Sequence, residues 1–158
     1  MVLAIISVLG SIIMLSLQSS RGKARDAIRL ANMRQIQISL ENYYLSNEQY
    51  PSVSSDTCCD GWDQGPCGND PFIGALSTSE QEIPTDPLGG TGAGCYGYNY
   101  YRYPAGSYGC DADKGAFYVL GIRNMEDSGR PHPQSPGWSC PSRNWQNEFD
   151  WVAGGFEK

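Results

Sequence analysis

Seventeen residues without a charge, MVLAIISVLGSIIMLSL, open the chain and run into RGKARDAIRLANMRQ with no turn signal between them. Gln18, Ser19 and Ser20 carry the uncharged stretch to the interfacial edge of that run. From Arg21 to Tyr44 there is no proline and no glycine but Gly22, and the Ala, Leu, Arg, Gln and Met content favours helix. Met33, Ile36, Leu40, Tyr43 and Tyr44 recur at three- and four-residue spacing and predict one apolar stripe. Ala27, Ala31, Ile38 and Leu45 make a second stripe on roughly the opposite side. Basic residues interleave with both stripes, so the helix is not apolar all round. Asn47 and the Tyr50-Pro51 step predict its end, because a residue before proline is pushed out of the helical region. A rod of roughly 70 Å at ~1.5 Å per residue is too long to be buried in a head with a radius of gyration near ~13 Å. The chain therefore divides into an apolar half-helix over residues 1–20, an amphipathic stem over 21–47 and a head over 48–158.

In the head, residues 52–70 hold Gly, Pro, Asp, Ser and three cysteines and read as a stapled loop. Asp70 is placed to cap a short helix with Pro71 at its first position, running through Phe72–Leu76. CYGYNYYRY and GAFYVLGIR are strand patterns, and the YPAGSYGCDADK segment between them predicts an antiparallel hairpin. A third short strand is expected near Phe149–Val152, while Glu126–Asn147 shows no periodicity and is expected to be anchored by Cys140. A small antiparallel sheet laid across one stripe of the long helix gives an α+β fold.

Six cysteines, Cys58, Cys59, Cys67, Cys95, Cys110 and Cys140, all fall in this Gly/Pro-rich head, which reads as a disulfide framework formed in an oxidising compartment. Zinc needs CxxC pairs or Cys/His clusters, and the single histidine, His132, sits in a PHP tripeptide. Spacing favours one of the vicinal pair closing a short loop to Cys67, Cys95 pairing with Cys110, and Cys140 taking the remaining vicinal cysteine. The formal charge of -6 disfavours nucleic acid as a partner, although Arg21, Lys23, Arg25, Arg29 and Arg34 gather just after the apolar run.

That run is near the lower limit for spanning a bilayer. A cleaved signal peptide would need a basic segment before it and a small-residue cleavage site after it; an ordinary signal anchor remains open. The basic residues that follow it would, by charge bias, hold the head in the cytoplasm, against the disulfide reading. A basic leader ahead of Met1 would resolve the conflict.

AIISVLGSIIMLSLQSSRGKARDAIRLANMRQIQISLENYYLSNEQYPS resembles the stem of type IV pilins and of the pilin-like pseudopilins of type II secretion. RGKARDA, then RQIQ-x-x-LE-x-YY, then a Tyr-Pro step carry the resemblance, and AFYVLG and the aromatic strand extend it loosely into the head. The resemblance implies a basic leader and an FTLIE-type segment before Met1. It implies a non-enzymatic subunit that waits in the inner membrane, is handled by pilus or secretion assembly machinery, and joins a homo-oligomeric helical filament at the cell surface or in the periplasm. Leu3, Ile5, Ile6, Leu9, Gly10, Ile12, Ile13 and Leu15 would then form the filament core. Ser7, Gly10, Ser11 and Ser16 would permit close helix approach. Basic stem residues would pair with acidic groups of adjacent heads or stay solvated. The alternative is a monomeric, signal-anchored extracytoplasmic binding domain.

No G-x-S-x-G, H-E-x-x-H or phosphate-binding loop occurs, and the LGGTGAG run lacks the lysine and the strand–helix context of one. Calcium, bound by major pseudopilins, has only weak candidates here: Asp111 and Asp113, and the second acidic pair Glu126 and Asp127. Asp111-Ala112-Asp113 opens like an EF-hand, but its required glutamate position is Ile122. Tyr96, Tyr98, Tyr100, Tyr101, Tyr103 and Tyr108 are aromatic enough for sugar contacts, and sheet packing accounts for most of them more simply.

Overall fold

The computed structural model describes residues 2–53, 59, 61–64, 71–77, 83–89 and 95–158, with backbone alone for 2–16. One helix, α1 (Val2–Asn47), runs unbroken through Gly10. At ~1.5 Å per residue it is about 69 Å long. It stops where the Tyr-Pro step places the boundary. Glu48 takes φ 57, and its N–H donates to Tyr44 O at 2.8 Å, a left-handed ending usually given to glycine.

The head is built on an antiparallel sheet. Its strands are β1 (Asp63–Gln64), β2 (Gly97–Tyr103) and β3 (Phe117–Arg123), followed by a ribbon of β4 (Ser139–Cys140) with β5 (Arg143–Asn144), and then β6 (Trp151–Phe156). The main sheet has the order β1-β2-β3-β6, and β2 and β3 form the expected hairpin, pairing Tyr100 with Leu120. The fold is α+β.

Three local expectations are corrected. β1 lies within the stretch read as loop, too short to show an alternating pattern. The third strand begins at Trp151 rather than Phe149, because Phe149 N–H still closes a turn on Trp145 O at 3.0 Å. Between Phe72 and Leu76 only a three-residue 3-10 turn forms, Gly74–Leu76, since Ile73 adopts φ 45. Asp63 accepts the Ile73 N–H at 3.2 Å, and Asp70 lies outside the described residues.

Strand alternation sorts the core into two layers. Tyr98, Tyr100, Tyr118, Leu120, Ile122, Trp151 and Ala153 face α1 and pack with Met33, Ile36 and Leu40, all three fully buried. Tyr103, Phe117, Val119 and Val152 face the other way, under Trp62, Trp145, Phe149 and three disulfide cysteines, Cys59, Cys110 and Cys140. Phe149 lies flat on the outer layer because residue 121 is glycine: a Cβ there would stand 2.5 Å from the ring.

Candidate functional site

The stem presents two sides to different surroundings. Met33, Ile36 and Leu40 vanish into the head with Tyr43 and Tyr44 packed beside them, so the first stripe is a docking face. Each such side chain, fully buried, contributes roughly 1.5–3 kcal/mol. The second stripe is exposed: Ala27 and Ala31 face solvent, Ile38 is 62% exposed and Leu45 78%. Shallow grooves flank Ile38 on both sides. One, of about 560 Å³, runs between the stem and Ala75–Leu76; the other, of about 520 Å³, runs beside Glu41 and Tyr118. Arg34 interrupts the apolar row and lines both.

Toward its front the docking face changes from apolar to ionic. Positions 22, 26, 29, 33, 36 and 40 keep one four-three spacing, and at its upper end stand Gly22, Asp26 and Arg29. Arg29 is 2% exposed. Its Nε and Nη2 donate to Asp86 at 2.6 and 3.0 Å, and Nη1 donates to Asp26 at 2.7 Å and to Glu126 at 2.7 Å. Arg25 donates to Glu126 through Nε at 2.7 Å and through Nη2. Asp26 in turn accepts the backbone N–H groups of Glu126 and Asp127, at 3.0 and 2.8 Å. Burial works against the charge on Arg29, but the carboxylates of Asp86, Glu126 and Asp26 outweigh it and hold its pKa above the ordinary value. Glu126 is pulled from 4.5 down to about 2, chiefly by Arg25 and then, against its own desolvation, by Arg29. The clasp packs closely on the helix at Gly22, where a Cβ would stand in ordinary van der Waals contact with Glu126 Cβ at 3.4 Å.

A second clasp holds the stem's far end. Glu157 accepts from Arg102 Nε at 2.7 Å and from the Tyr50 N–H at 2.8 Å, while the Tyr44 hydroxyl donates to its backbone oxygen. Three of the basic stem residues, Lys23, Arg25 and Arg29, have acidic partners within the same chain, Lys23 reaching Asp127 at 3.9 Å. The spacing that extends the first stripe back through Asp26 and Arg29 was the signal for this cluster. Polar identity hid it.

Two disulfides join described residues, Cys59–Cys95 and Cys110–Cys140, and none of the described cysteines is free. This overturns the expected Cys95–Cys110 pair and the pairing of Cys140 with a vicinal cysteine. Cys95 lies at the start of β2 and Cys110 beyond its end, so the length of the strand separates them. Cys58 and Cys67 lie outside the described residues.

The calcium candidates do not converge. Asp111 and Asp113 precede β3, where Asp111 caps its own turn by accepting the Asp113 N–H at 3.0 Å; Glu126 and Asp127 follow the other end of that strand. The EF-hand glutamate position, Ile122, is buried in β3. Among the described residues no three Asp, Glu, His or Cys side chains gather as a metal site. Of the tyrosines, Tyr98, Tyr100 and Tyr103 are core; Tyr108 and Tyr96 are exposed. Burial raises the Tyr118 hydroxyl to about 12.

Leu3, Ile5, Ile6, Leu9, Gly10, Ile12, Ile13 and Leu15 all lie on α1, in the part described by backbone alone. Among the described residues no helix is long and apolar enough to cross a membrane. Comparison with protein-family models, with curated proteins and with solved structures finds no match.

Proposed function

We propose that the chain is a pilin-like structural subunit that assembles through α1 into a helical filament, either a type IV pilus or a type II secretion pseudopilus. The observation that carries this reading is the division of the stem. One face is clasped to the head at both ends, and the opposite row of Ala27, Ala31, Ile38 and Leu45 is left to solvent. A helix that only supported its own head would need the first row alone. The second has the composition of a packing surface and, in a filament, would meet neighbouring stems. Residues 1–20 would supply the filament core after residence in the inner membrane.

The test is electron microscopy of sheared cell fractions, with a chain truncated before Arg21 as control. Filaments from the processed protein and a soluble monomer from the truncated one are expected. Membrane-bound monomers alone, with no filaments, overturn the proposal. One observation favours the alternative, an anchored monomeric binding domain: a polar cleft on the sheet face away from the stem, lined by Tyr101, Tyr108 and Arg143.

A further inference from the structure

The head begins where the uncharged run ends. Gly22, against which Glu126 packs, follows Arg21, the first charge in the chain, and the clasp on Arg25 and Arg29 occupies the next two turns. We infer that this end of the head is a membrane-seating surface, with Leu88 and Tyr96 entering the lipid headgroup layer and Arg21 and Lys23 meeting lipid phosphates. The inference rests on the membrane stage of the proposed function and adds to it a contact between head and bilayer.

Strand direction fixes which end this is. Gly97, at the start of β2, pairs with Arg123, and Glu126 just beyond Arg123 holds Arg25 and Arg29. Tyr103, at the other end of β2, pairs with Phe117, and Phe117 pairs with Phe156, beside the Glu157 clasp on Tyr44 and Tyr50. Tyr96 therefore stands at the end of the sheet nearest the apolar half-helix, and Leu88 shares a recess there with Tyr96, Gly97, Asn124 and Arg29. Spacing is the second argument. Gly22 is five residues beyond Leu17, about 7 Å along the helix. A headgroup layer is about 5–7 Å thick on each side of the hydrocarbon, so a bilayer that holds residues 1–17 leaves the head no room to stand clear of it.

Exposure is the third argument. Tyr96 is 52% exposed and Leu88 62%, and both are displayed by tied backbone. Asp86 accepts the Leu88 N–H at 2.9 Å through its carboxylate and the Gly89 N–H at 2.8 Å through its carbonyl, while Gln64 donates to the Tyr96 carbonyl. Tyrosine, with an apolar ring and a polar tip, suits the headgroup level, and a leucine beside it gains by leaving water. Charge is arranged to match. Asp26, Asp86 and Glu126 turn inward to Arg25 and Arg29, whereas Arg21 is exposed and Lys23, also exposed, reaches Asp127 only at 3.9 Å. Long basic side chains at this level lay their stems along apolar surface and present their charge to phosphate.

The experiment places one extra tryptophan at a time in the full chain. The chain is reconstituted in phosphatidylcholine vesicles brominated on the acyl carbons nearest the headgroup, with unbrominated vesicles as reference. Trp62, Trp145 and Trp151 are buried and Trp138 is half-buried, so wild-type emission supplies the background. The three positions replaced, Leu88, Tyr96 and Leu45, are all exposed and outside the core. Leu88→Trp and Tyr96→Trp are expected to lose at least about half of the added emission to bromine, whereas Leu45→Trp, about 40 Å further along the helix than Leu17, is expected to lose none. Arg21→Gln combined with Lys23→Gln is expected to reduce the quenching at Leu88→Trp at least about twofold. Flotation of each variant with the vesicles separates the two levels of the proposal. A chain that does not float overturns the membrane stage itself and the seating with it. A chain that floats without added quenching at residues 88 and 96 overturns the seating alone. So does equal quenching of Leu45→Trp, or quenching unchanged by the Arg21 and Lys23 substitutions.

Discussion

The two faces of the β1-β2-β3-β6 sheet are covered by different physical means. Toward the stem, the cover is a helix that satisfies its own backbone and brings Met33, Ile36 and Leu40 on one regular row, fastened by the Arg29 ion pairs at one end and by the Tyr44 and Tyr50 hydrogen bonds to Glu157 at the other. On the outer face the cover is largely the irregular stretch from Glu126 to Asn147 and the segment around Trp62, fastened by Cys59–Cys95 and Cys110–Cys140. A helix needs few outside partners for its amides and can be held by side chains alone. The outer segment has only the two-residue β4–β5 ladder of its own and gains more from a covalent tie. The contrast also separates surfaces: the stem-facing side of the sheet is closed by one regular helix, and the outer side carries a polar cleft.

The sharpest way to break the comparison is to remove the charge that fastens the stem. Arg29→Met leaves Asp26, Asp86 and Glu126 facing one another with only Arg25 in reach, so a loss of about 3–5 kcal/mol is expected. Urea unfolding followed by near-ultraviolet circular dichroism checks it. A loss under about 1 kcal/mol would mean that the apolar row alone fixes the stem. The matching change on the outer face is Cys110→Ala combined with Cys140→Ala, which opens a tie across a sequence separation of 30. About 2–4 kcal/mol is expected, carried mostly by the unfolded chain. If it equals or exceeds the Arg29 effect, the ordering of the two fastenings proposed here is reversed.

Those fastenings were unequally visible in the sequence. The helix, its apolar docking row and the β2–β3 hairpin follow from periods of 3.6 and 2, which local side-chain patterns record directly. Asp26 and Arg29 sit on the same row as Met33, but their partners Asp86 and Glu126 are 57 and 97 residues from Arg29, and no local pattern joins them. The disulfide pairing failed for a related reason: nearness in sequence favoured Cys95 with Cys110, whereas a seven-residue strand separates their ends. β1 has two residues and gains its identity only from pairing with Tyr100 and Asn99. The outer cleft is likewise assembled from Trp62, β2 and the turn after it, β3, β5 and the stretch that follows β5, and only the folded chain brings Arg143 to Tyr108.

A smaller effect sharpens the ionic half of the comparison. Glu126 has a folded pKa of about 2 against an ordinary 4.5, so its contribution is complete above about pH 4.5 and is lost as pH falls through about 2. The denaturation midpoint is expected to fall across that window, and Glu126→Gln is expected to flatten the fall while lowering the plateau. Cys110→Ala with Cys140→Ala should leave the slope unchanged, since no carboxylate is altered. An identical slope in wild type and Glu126→Gln would show that Arg25 and Arg29 do not act through this carboxylate.

The smallest expected change in stability tests the largest functional claim. Ile38→Ser alters a side chain 62% exposed, standing between two grooves. Its effect on urea unfolding of the head should stay within about 0.5 kcal/mol, the ordinary range for surface substitutions. In a filament the same position would be buried once per subunit, so a polar group there would be desolvated at every contact along the fibre. A cost of about 1–3 kcal/mol per contact then multiplies over many subunits. Sheared fractions from cells carrying Ile38→Ser should therefore lose filaments although the monomer is as stable as before. Leu45→Ser, on the same row, should act in the same direction, whereas Ser46→Ala, off the row, should not. Filaments at wild-type abundance in both Ile38→Ser and Leu45→Ser would take the second stripe out of the assembly surface and leave residues 1–20 as its sole helical contact.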